Sequence, residues 1–313
     1  MVGTDDEWIE LAELQEATAM DWWVFILTRR VYVHATLEVD FYSQSCPSVE
    51  KIVRSVITKA YYNDSRIAPA LIRMHFHDSF VRGCDGSILL DSTPGHASEK
   101  EAIPNQTIRG YEVIDEAKAM VESQCPSTVS CADILAFAAR DSTTLASKKI
   151  LYQVASGRRD GRISLENEVA TNLPSQFFNA TQLISNFKSK NLTAEDLVIL
   201  TGAHSIGVAH CEAFINRLYN YSAASGTDPT LDPVYAARLK RKCPSNTTNS
   251  SSTVALDSLT PKLLDNMFYV GLMKNLGLLS SDQALLTEEF LRIMWKRMRT
   301  MTNCGNRNLV KLW

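Results

Sequence analysis

The apolar residues of this chain are spaced mainly for helices. Positions 49, 52, 53, 56, 57 and 60 are all apolar, and this spacing places them on one face of a helix. The same period returns at 113–121, 134–139 and 211–219, while Phe290, Ile293 and Met294 predict a helix near the end. Strand-like alternation is scarce. The pattern therefore predicts one mostly α domain that begins near Leu37.

Two helix boundaries can be read from single residues. Thr193 is a good N-terminal cap for a short helix with acidic residues in its first turn, and Gly202 closes it. Pro261 predicts the start of a further helix that runs to about Asn275.

The most concentrated candidate chemistry lies between Arg73 and Ser87, which reads RMHFHDSFVRGCDGS. Arg73 and His77 are four residues apart, so they share one face of a helix. Asp78, Asp85 and Ser87 add oxygen atoms at short spacing around two glycines. From the residues alone, this stretch is a candidate functional site, with no reaction class favoured.

Simpler interpretations of the same residues exist. An arginine and a histidine four apart are most often a solvated helix face, and an Asp-rich turn is most often only a turn. His75 and His77 could also bind zinc as part of a hydrolase site. Because two residues on a helix that are two apart point to different faces, this zinc interpretation is the weakest.

Charge and hydropathy argue against some classes of partner. The net charge is −3, which favours neither nucleic acid nor anionic lipid as a partner. No apolar stretch is long enough to span a membrane. Residues 1–28 contain seven acidic residues and no Lys or Arg, unlike the basic start of a secretory signal. We therefore expect residues 1–36 to be an atypical N-terminal extension or a degenerate signal region.

Cysteines and glycosylation motifs favour an oxidising compartment. The seven cysteines are dispersed, with no CxxC pair that would suggest zinc or iron–sulfur ligation. The chain also has seven Asn-x-Ser/Thr motifs, which begin at Asn63, Asn105, Asn179, Asn191, Asn220, Asn246 and Asn249. Together the two features predict a secreted glycoprotein with disulfide bonds.

Nine ordered motifs carry a family resemblance. They are FYSQSCP (41–47), LIRMHFHDSFVRGCDGSILLD (71–91), SEK (98–100), RGYEVID (109–115), CPSTVSCADIL (125–135), GRRDG (157–161), NLP (172–174), LTGAHSIGVAHC (200–211) and SDQ (281–283). In this order the chain resembles the secretory (class III) plant haem peroxidases, from about Leu37 to Leu286. The resemblance implies a mostly α, single-domain fold with haem b bound between a distal and a proximal helix.

The resemblance implies a role for several haem-side residues. His204 matches the axial iron ligand, and Asp282 matches the carboxylate that hydrogen-bonds its other ring nitrogen and increases its basicity. His77 matches the acid–base histidine, which must be neutral to take a proton from peroxide. Arg73 matches the cation that stabilises developing negative charge, and Asn105 matches the residue that orients His77.

A further match concerns substrate access and glycosylation. Pro174 corresponds to a family residue at the entrance for reducing substrates. Asn105 also begins a glycosylation motif. Because a glycan could not coexist with an Asn aimed at a buried histidine, we expect this site to be unmodified.

Two calcium sites follow from the same resemblance. The distal site is Asp78, Val81, Gly83, Asp85 and Ser87, with Glu99 farther out. The proximal site is Ser205, Asp257, Thr260, Leu263 and Asp265. Val81, Gly83 and Leu263 would contribute carbonyl oxygens, and such mixed oxygen sets suit calcium. Each set begins next to a haem-side histidine, so metal loss should disturb haem geometry.

The chain departs from the family in its cysteines and its end. The family pairing implies the disulfides Cys46–Cys125, Cys211–Cys243 and, less securely, Cys131–Cys304. The family partner of Cys84 is replaced by Ser79, which predicts a free thiol at Cys84. The haem peroxidase domain spans 37–313, and its part from about 287 onward is divergent and shorter than in the family.

The resulting hypothesis is a haem peroxidase that reduces hydrogen peroxide and oxidises small phenolic donors by one-electron steps. We expect a secreted monomer, in the cell wall or vacuole, that takes part in the response to oxidative stress and has no nucleic-acid or membrane partner. The alternative is a non-catalytic or poorly folded relative that binds calcium or a wall polymer. The intact Arg73, His77, His204 and Asp282 favour the enzyme.

Overall fold

The computed structural model describes residues 36–149, 151–245 and 251–300, which contain twelve α-helices and four short strands. The helices are α1 Val49–Asn63, α2 Ile67–Val81, α3 Tyr111–Gln124, α4 Cys131–Ser147, α5 Glu166–Asn172, α6 Ala180–Ser189, α7 Ala194–Thr201, α8 Ile215–Tyr219, α9 Pro233–Lys242, α10 Met267–Met273, α11 Ser280–Ala284 and α12 Glu289–Thr300. The antiparallel strand pairs are β1 Glu38–Val39 with β2 Ala155–Ser156, and β3 Val208–His210 with β4 Thr253–Ala255. The prediction of a mostly α fold is confirmed.

Helix α1 buries the apolar stripe that predicted it. Val49, Ile52, Val53, Val56 and Ile57 are all buried in the first core cluster. Burial of one such side chain stabilises the fold by about 1.5–3 kcal/mol relative to exposure. The stripe therefore fixes which side of α1 faces α3 and α4, against which it packs.

Helix α4 lies inside the first core cluster and is buried along most of its length. It begins at a cap, because the Ser130 hydroxyl accepts a hydrogen bond from the Asp133 N–H at 3.1 Å. Helix α2 packs against α4 in the most extensive helix–helix contact of the described residues. This packing fixes the position of α2, the helix that carries Arg73 and His77.

A second core cluster joins α6, α7, α10 and α12. Helix α7 begins at the predicted cap: Thr193 and Asp196 exchange side-chain to backbone hydrogen bonds. Helix α12 lies where a helix was predicted, and it packs against α7 and α10. Its completely buried residues are Leu291 and Trp295, whereas Ile293, one of the residues that predicted the helix, is exposed. The late, divergent part of the chain thus contributes to the core.

The helix predicted from Pro261 to Asn275 is wrong in its first half. Residues 261–266 form turns and bends, and helix α10 begins only at Met267. The backbone here bonds to side chains instead: Ser205 accepts from the Asp265 N–H at 3.1 Å, and Asp265 accepts from the Met267 N–H at 2.8 Å. These contacts replace the backbone pairing that a helix needs.

Two disulfides cross-link the described residues. Cys46 is bonded to Cys125 and Cys211 to Cys243, across sequence separations of 79 and 32 residues. Loop-closure estimates give about 3–4.5 kcal/mol of stabilisation for loops of such lengths. Cys84 and Cys131 are free thiols among the described residues. The predicted partner of Cys131, Cys304, lies outside them.

The described elements belong to a compact unit that begins at Leu37. None of the helices in the described ranges is long and apolar enough to cross a membrane. The predicted N-terminal extension, residues 1–36, lies outside the described residues except for Thr36.

Candidate active site

The distal side of the site is built on helix α2. His77 is buried, and its Nδ1 lies 2.6 Å from Oδ1 of Asn105. The Asn105 amide nitrogen donates to the carbonyl of Glu99 at 2.8 Å, so its oxygen must face the imidazole. Nδ1 of a neutral His77 therefore carries the proton, which leaves the lone pair on Nε2. Nε2 has no hydrogen-bond partner among the described residues.

The environment of His77 keeps its ring neutral. Burial and the nearby charge of Arg73 lower the pKa of His77 to about 3, and the Asn105 hydrogen bond acts in the opposite direction. A neutral imidazole with a free Nε2 is a proton acceptor. The buried Asn105 side chain, with both amide atoms bonded, also supports the expectation that it carries no glycan.

Arg73 is held by groups that the sequence did not single out. Its Nη2 donates to the carbonyl of Pro104 at 2.7 Å, and its Nη1 donates to the Thr107 hydroxyl at 2.9 Å. Burial lowers the pKa of Arg73 below its ordinary value, but a guanidinium remains charged at physiological pH. One short segment, residues 104–107, thus orients both Arg73 and His77. Pro104 and Thr107 lie within two residues of Asn105, and this closeness was the indication of their role that the sequence offered.

The proximal side is formed by a turn and a short helix that are far apart in sequence. His204 lies in the 3₁₀ turn Gly202–Ser205 after helix α7, and its Nδ1 is 2.7 Å from Oδ1 of Asp282 on helix α11. Asp282 is fully buried and His204 is partly buried. Burial lowers the pKa of His204, but the charge and hydrogen bond of Asp282 outweigh it and raise that pKa above its ordinary value.

Arg73 influences both histidines. The charge of Arg73 lowers the pKa of His204 as well as that of His77, so the guanidinium lies near enough to act on both rings. Each imidazole has its Nδ1 held by an oxygen, and each Nε2 lacks a protein partner among the described residues. One ring suited to bind a metal and one suited to accept a proton are the donor set that a haem needs.

The predicted distal calcium residues form a cluster with unpaired oxygen atoms. The Ser87 hydroxyl and both carboxylate oxygens of Glu99 are buried without a hydrogen-bond partner. Burial, with added repulsion from neighbouring carboxylates, raises the pKa of Asp78 to about 6 and that of Glu99 to about 7. The Ser87 hydroxyl lies close enough to Glu99 to lower the pKa of that carboxyl, against the effect of burial. Buried unpaired oxygens fit a cation site.

The loop after helix α2 bends back to bring these residues together. Gly83 and Gly86 have φ values of +87° and +72°, which favour glycine. The carbonyl of Asp85 accepts from the Gly161 N–H at 2.7 Å. Val81, whose carbonyl is a predicted ligand, ends α2 at the start of this loop.

Cys84 lies in the same loop as a free thiol. Its Sγ donates to the Ser79 hydroxyl at 3.0 Å, where the family resemblance implies a disulfide. Burial raises the pKa of the Cys84 thiol, so the thiolate is disfavoured.

The predicted proximal calcium residues also lie together, but they bond to each other. Ser205 Oγ donates to the carbonyl of Leu263 at 3.0 Å. Thr260 Oγ1 lies 3.1 Å from Asp257 Oδ2 and 2.9 Å from Asp265 Oδ1. Burial raises the pKa of Asp257. All five predicted residues therefore belong to one network.

No group of three His, Cys, Asp or Glu side chains in the described ranges is arranged to hold a metal ion. The zinc interpretation of His75 and His77 therefore has no third ligand there. The predicted distal calcium set combines three carboxylates with hydroxyl and carbonyl oxygens, and the proximal set combines two.

Comparison with known proteins identifies the family. The family model described as Peroxidase matches residues 53–301. The chain belongs to the peroxidase family. The match runs 15 residues past Leu286, where the motif resemblance ends, and so includes helix α12.

The similar proteins are plant peroxidases. The chain is 49% identical to Peroxidase 5 of Vitis vinifera over 271 residues, which cover 86% of this chain and 82% of that protein. It is 48% identical to Peroxidase 24 of Arabidopsis thaliana over 255 residues, 80% of this chain and 73% of that protein. It is also 48% identical to Peroxidase 3 of Arabidopsis thaliana over 256 residues, with coverages of 82% and 78%. The predicted family and function are confirmed: this peroxidase is a haem-dependent oxidoreductase that uses hydrogen peroxide, and the non-catalytic alternative is not favoured.

Proposed function

We propose that this peroxidase cleaves hydrogen peroxide with Arg73, His77 and Asn105 on one side of its haem, and that His204 is the axial ligand on the other. The observation that carries the proposal is the matched state of the two histidines: each Nδ1 is held by an oxygen, 2.6 Å away for His77 and 2.7 Å away for His204. In both rings Nε2 is therefore the atom free to act.

Each distal residue has one task in this proposal. His77 Nε2 accepts the proton of one peroxide oxygen and delivers it to the other, which leaves as water when the O–O bond breaks. Arg73 stabilises the negative charge that develops on the departing oxygen. Asn105 keeps the His77 proton on Nδ1. When bound, the haem would supply the two electrons that reduce the peroxide.

The hydrogen bond between His204 and Asp282 determines how strongly the axial imidazole donates electrons. Asp282 accepts a hydrogen bond from Nδ1–H of His204 and makes the imidazole a stronger electron donor to the metal. Because Asp282 is fully buried, water does not compete for this hydrogen bond.

We further propose small phenolic donors, with Pro174 beside their entrance. Pro174 is half-buried and follows helix α5; two residues later, the carbonyl of Gln176 accepts from the Ser281 N–H at 3.1 Å. The segment from Pro174 to Gln176 is thus hydrogen-bonded to helix α11, which carries Asp282. Pro174→Ala should change the KM for a phenolic donor and leave the peroxide reaction rate unchanged; an unchanged KM for several phenols would contradict this role.

We also propose that calcium binds both oxygen clusters. Support comes from the unpaired oxygens of Ser87 and Glu99 on the distal side and from the converged network of Ser205, Thr260 and Asp265 on the proximal side. In each case a residue next to a haem-side histidine belongs to the cluster, so calcium would steady His77 and His204. The test is calcium removal, described below.

Secretion to the cell wall or vacuole, as a monomer, completes the proposal. The disulfides Cys46–Cys125 and Cys211–Cys243 and the glycosylation motifs support an oxidising compartment. Imaging of a tagged full-length chain checks the compartment, and sedimentation checks the oligomeric state. Cytosolic retention or a stable dimer would contradict these two parts.

The main experiment compares His77→Leu with His96→Leu, a control on an exposed histidine outside the site. Haem-loaded His77→Leu should keep its Soret band and react with hydrogen peroxide far more slowly, since acid–base help contributes roughly 10²–10⁴-fold. Arg73→Leu acts on the same transition state, so the two losses should not simply multiply. An unchanged rate in His77→Leu would overturn the proposed mechanism.

The second arm tests the axial ligand. His204→Ala should lose or loosen the haem, seen as a weakened and shifted Soret band after gel filtration. The zinc interpretation instead predicts stoichiometric zinc and no Soret band in the wild-type protein. Full retention of an unaltered haem spectrum in His204→Ala would exclude His204 as the ligand.

A further inference from the structure

Arg217 is a fully buried cation that lies outside the nine family motifs. It lies on helix α8 with none of its side chain exposed. Its Nε donates to Asp228 Oδ2 at 2.7 Å, and its Nη2 donates to the Thr230 hydroxyl at 3.1 Å. A buried guanidinium is very unfavourable unless its donors are satisfied, and here all three nitrogens are bonded.

The remaining nitrogen of Arg217 donates hydrogen bonds to three consecutive carbonyl oxygens. Nη1 donates to the carbonyls of Gly277, Leu278 and Leu279 at 2.6, 2.9 and 3.1 Å. This segment leads directly into helix α11, and it is closely packed: a Cβ added to Gly277 would lie 2.7 Å from the Gln283 side chain. The guanidinium therefore sets the backbone path at the entry to α11.

Leu279 connects this segment to the proximal pair. Its carbonyl accepts from Arg217, while its own N–H donates to Asp282 Oδ2 at 3.3 Å. The other oxygen of Asp282 bonds to His204 Nδ1 at 2.7 Å. A continuous set of hydrogen bonds thus runs from Arg217 through one backbone residue to the imidazole.

Asp228 fixes Arg217 from the opposite side. Burial raises the pKa of Asp228, but hydrogen bonds from Thr230 and Arg217 outweigh it and lower that pKa overall. The Asp228 N–H also donates to the Arg217 carbonyl at 2.8 Å. The pair is joined through both its side chains and its backbone, so the guanidinium has little freedom to turn.

We propose that Arg217 is a positioning residue for the axial ligand: it holds residues 277–279 so that Asp282 stays within hydrogen-bond distance of His204. The inference rests on the proposed role of His204 as the iron ligand. A lysine keeps the charge but presents its donors from a single nitrogen, so it cannot bond Asp228, Thr230 and three carbonyls together. Loosening this segment weakens the Asp282 bond and makes the His204 imidazole a poorer donor.

The test compares Arg217→Lys with Arg140→Lys in haem-loaded protein. Arg140 is a matched control: it is also a buried arginine, and it pairs with Asp141 at 2.9 Å and with Glu50, not with the segment before α11. The readouts are the iron–imidazole stretching frequency of the ferrous protein, by resonance Raman, and the midpoint potential of the iron. The melting temperature is measured alongside.

Asp282→Asn is the reference that separates this inference from the proposed function. It should lower the stretching frequency and raise the potential, because the axial imidazole loses its anionic partner. No change in Asp282→Asn would contradict the assignment of the proximal pair itself. With that reference in place, Arg217→Lys should shift both readouts in the same direction by a fraction of the reference shift, whereas Arg140→Lys should lower only the melting temperature.

Wild-type frequency and potential in a haem-loaded Arg217→Lys protein would overturn the inference and leave Arg217 as a purely structural residue. If Arg217→Lys does not bind haem, the same readouts are measured in Asp228→Asn and Thr230→Val. These two variants keep Arg217 but remove a group that holds it in place. A shift in either variant, in the direction of Asp282→Asn, supports the inference. Wild-type readouts in both overturn it.

Discussion

The two oxygen clusters beside the histidines differ in how they are satisfied. In the distal cluster the Ser87 hydroxyl and the Glu99 carboxylate are buried without partners. In the proximal cluster Ser205 and Thr260 each bond to Asp265, at distances of 2.9 to 3.4 Å. An unpaired buried carboxylate is costly, whereas a closed hydrogen-bond network is not. The distal side should therefore depend more on a bound cation than the proximal side.

Calcium removal is the change from which we expect the largest effect on stability and activity. Exhaustive chelation should lower both the melting temperature and the rate of reaction with hydrogen peroxide, and added calcium should restore both. A ligand at 100 times its Kd stabilises a protein by about 2.7 kcal/mol per site. Differential scanning fluorimetry and stopped-flow spectroscopy measure the two losses. If metal analysis confirms removal and neither quantity changes, the calcium proposal is wrong.

Hydrogen exchange in the same calcium-free protein sharpens the comparison. Peptides from residues 83–89 should lose more protection than peptides from 257–267, because the proximal backbone keeps its own bonds, such as Asp265 N–H to Ser205 Oγ. The intact calcium-loaded protein is the control. Equal loss of protection on both sides would remove the distinction between the clusters.

A smaller effect should separate two buried serines. In calcium-free protein Ser205→Ala should cost about 1–3 kcal/mol, since it leaves the Asp265 N–H without its acceptor. Ser87→Ala should cost clearly less, because the Ser87 hydroxyl has no partner to lose. Urea unfolding measures both free energies. Similar costs for the two variants would show that the Ser87 hydroxyl is bonded in solution.

The smallest expected effect concerns the distal loop thiol. Ser79→Cys should form a disulfide with Cys84, whose Sγ lies 3.0 Å from the Ser79 hydroxyl, and stabilise the protein by about 2 kcal/mol or less because the loop is short. Ser79→Ala is the matched control. Thiol counting on denatured, unreduced protein should find Cys84 free in the wild type and consumed in the variant. A wild-type protein without a reactive Cys84 would contradict the free-thiol prediction.

The sequence alone determined the helices whose apolar residues keep a regular period. The stripe from Val49 to Ile57 and the cap at Thr193 are local signals, so they predicted α1 and α7 correctly. Family motifs also pointed to pairs far apart, such as His77 with Asn105 and His204 with Asp282, whose rings and oxygens the fold brings within hydrogen-bond distance.

The tertiary structure alone decided which groups hold those pairs in place. Arg73 depends on a carbonyl of Pro104, and three carbonyls before α11 bond to Arg217 about 60 residues earlier in the chain. A backbone carbonyl is the same chemical group at every residue, so no sequence pattern marks the few that a distant side chain selects. The helix wrongly predicted after Pro261 has the same cause, because Ser205 takes up backbone groups there through contacts that only the folded chain creates.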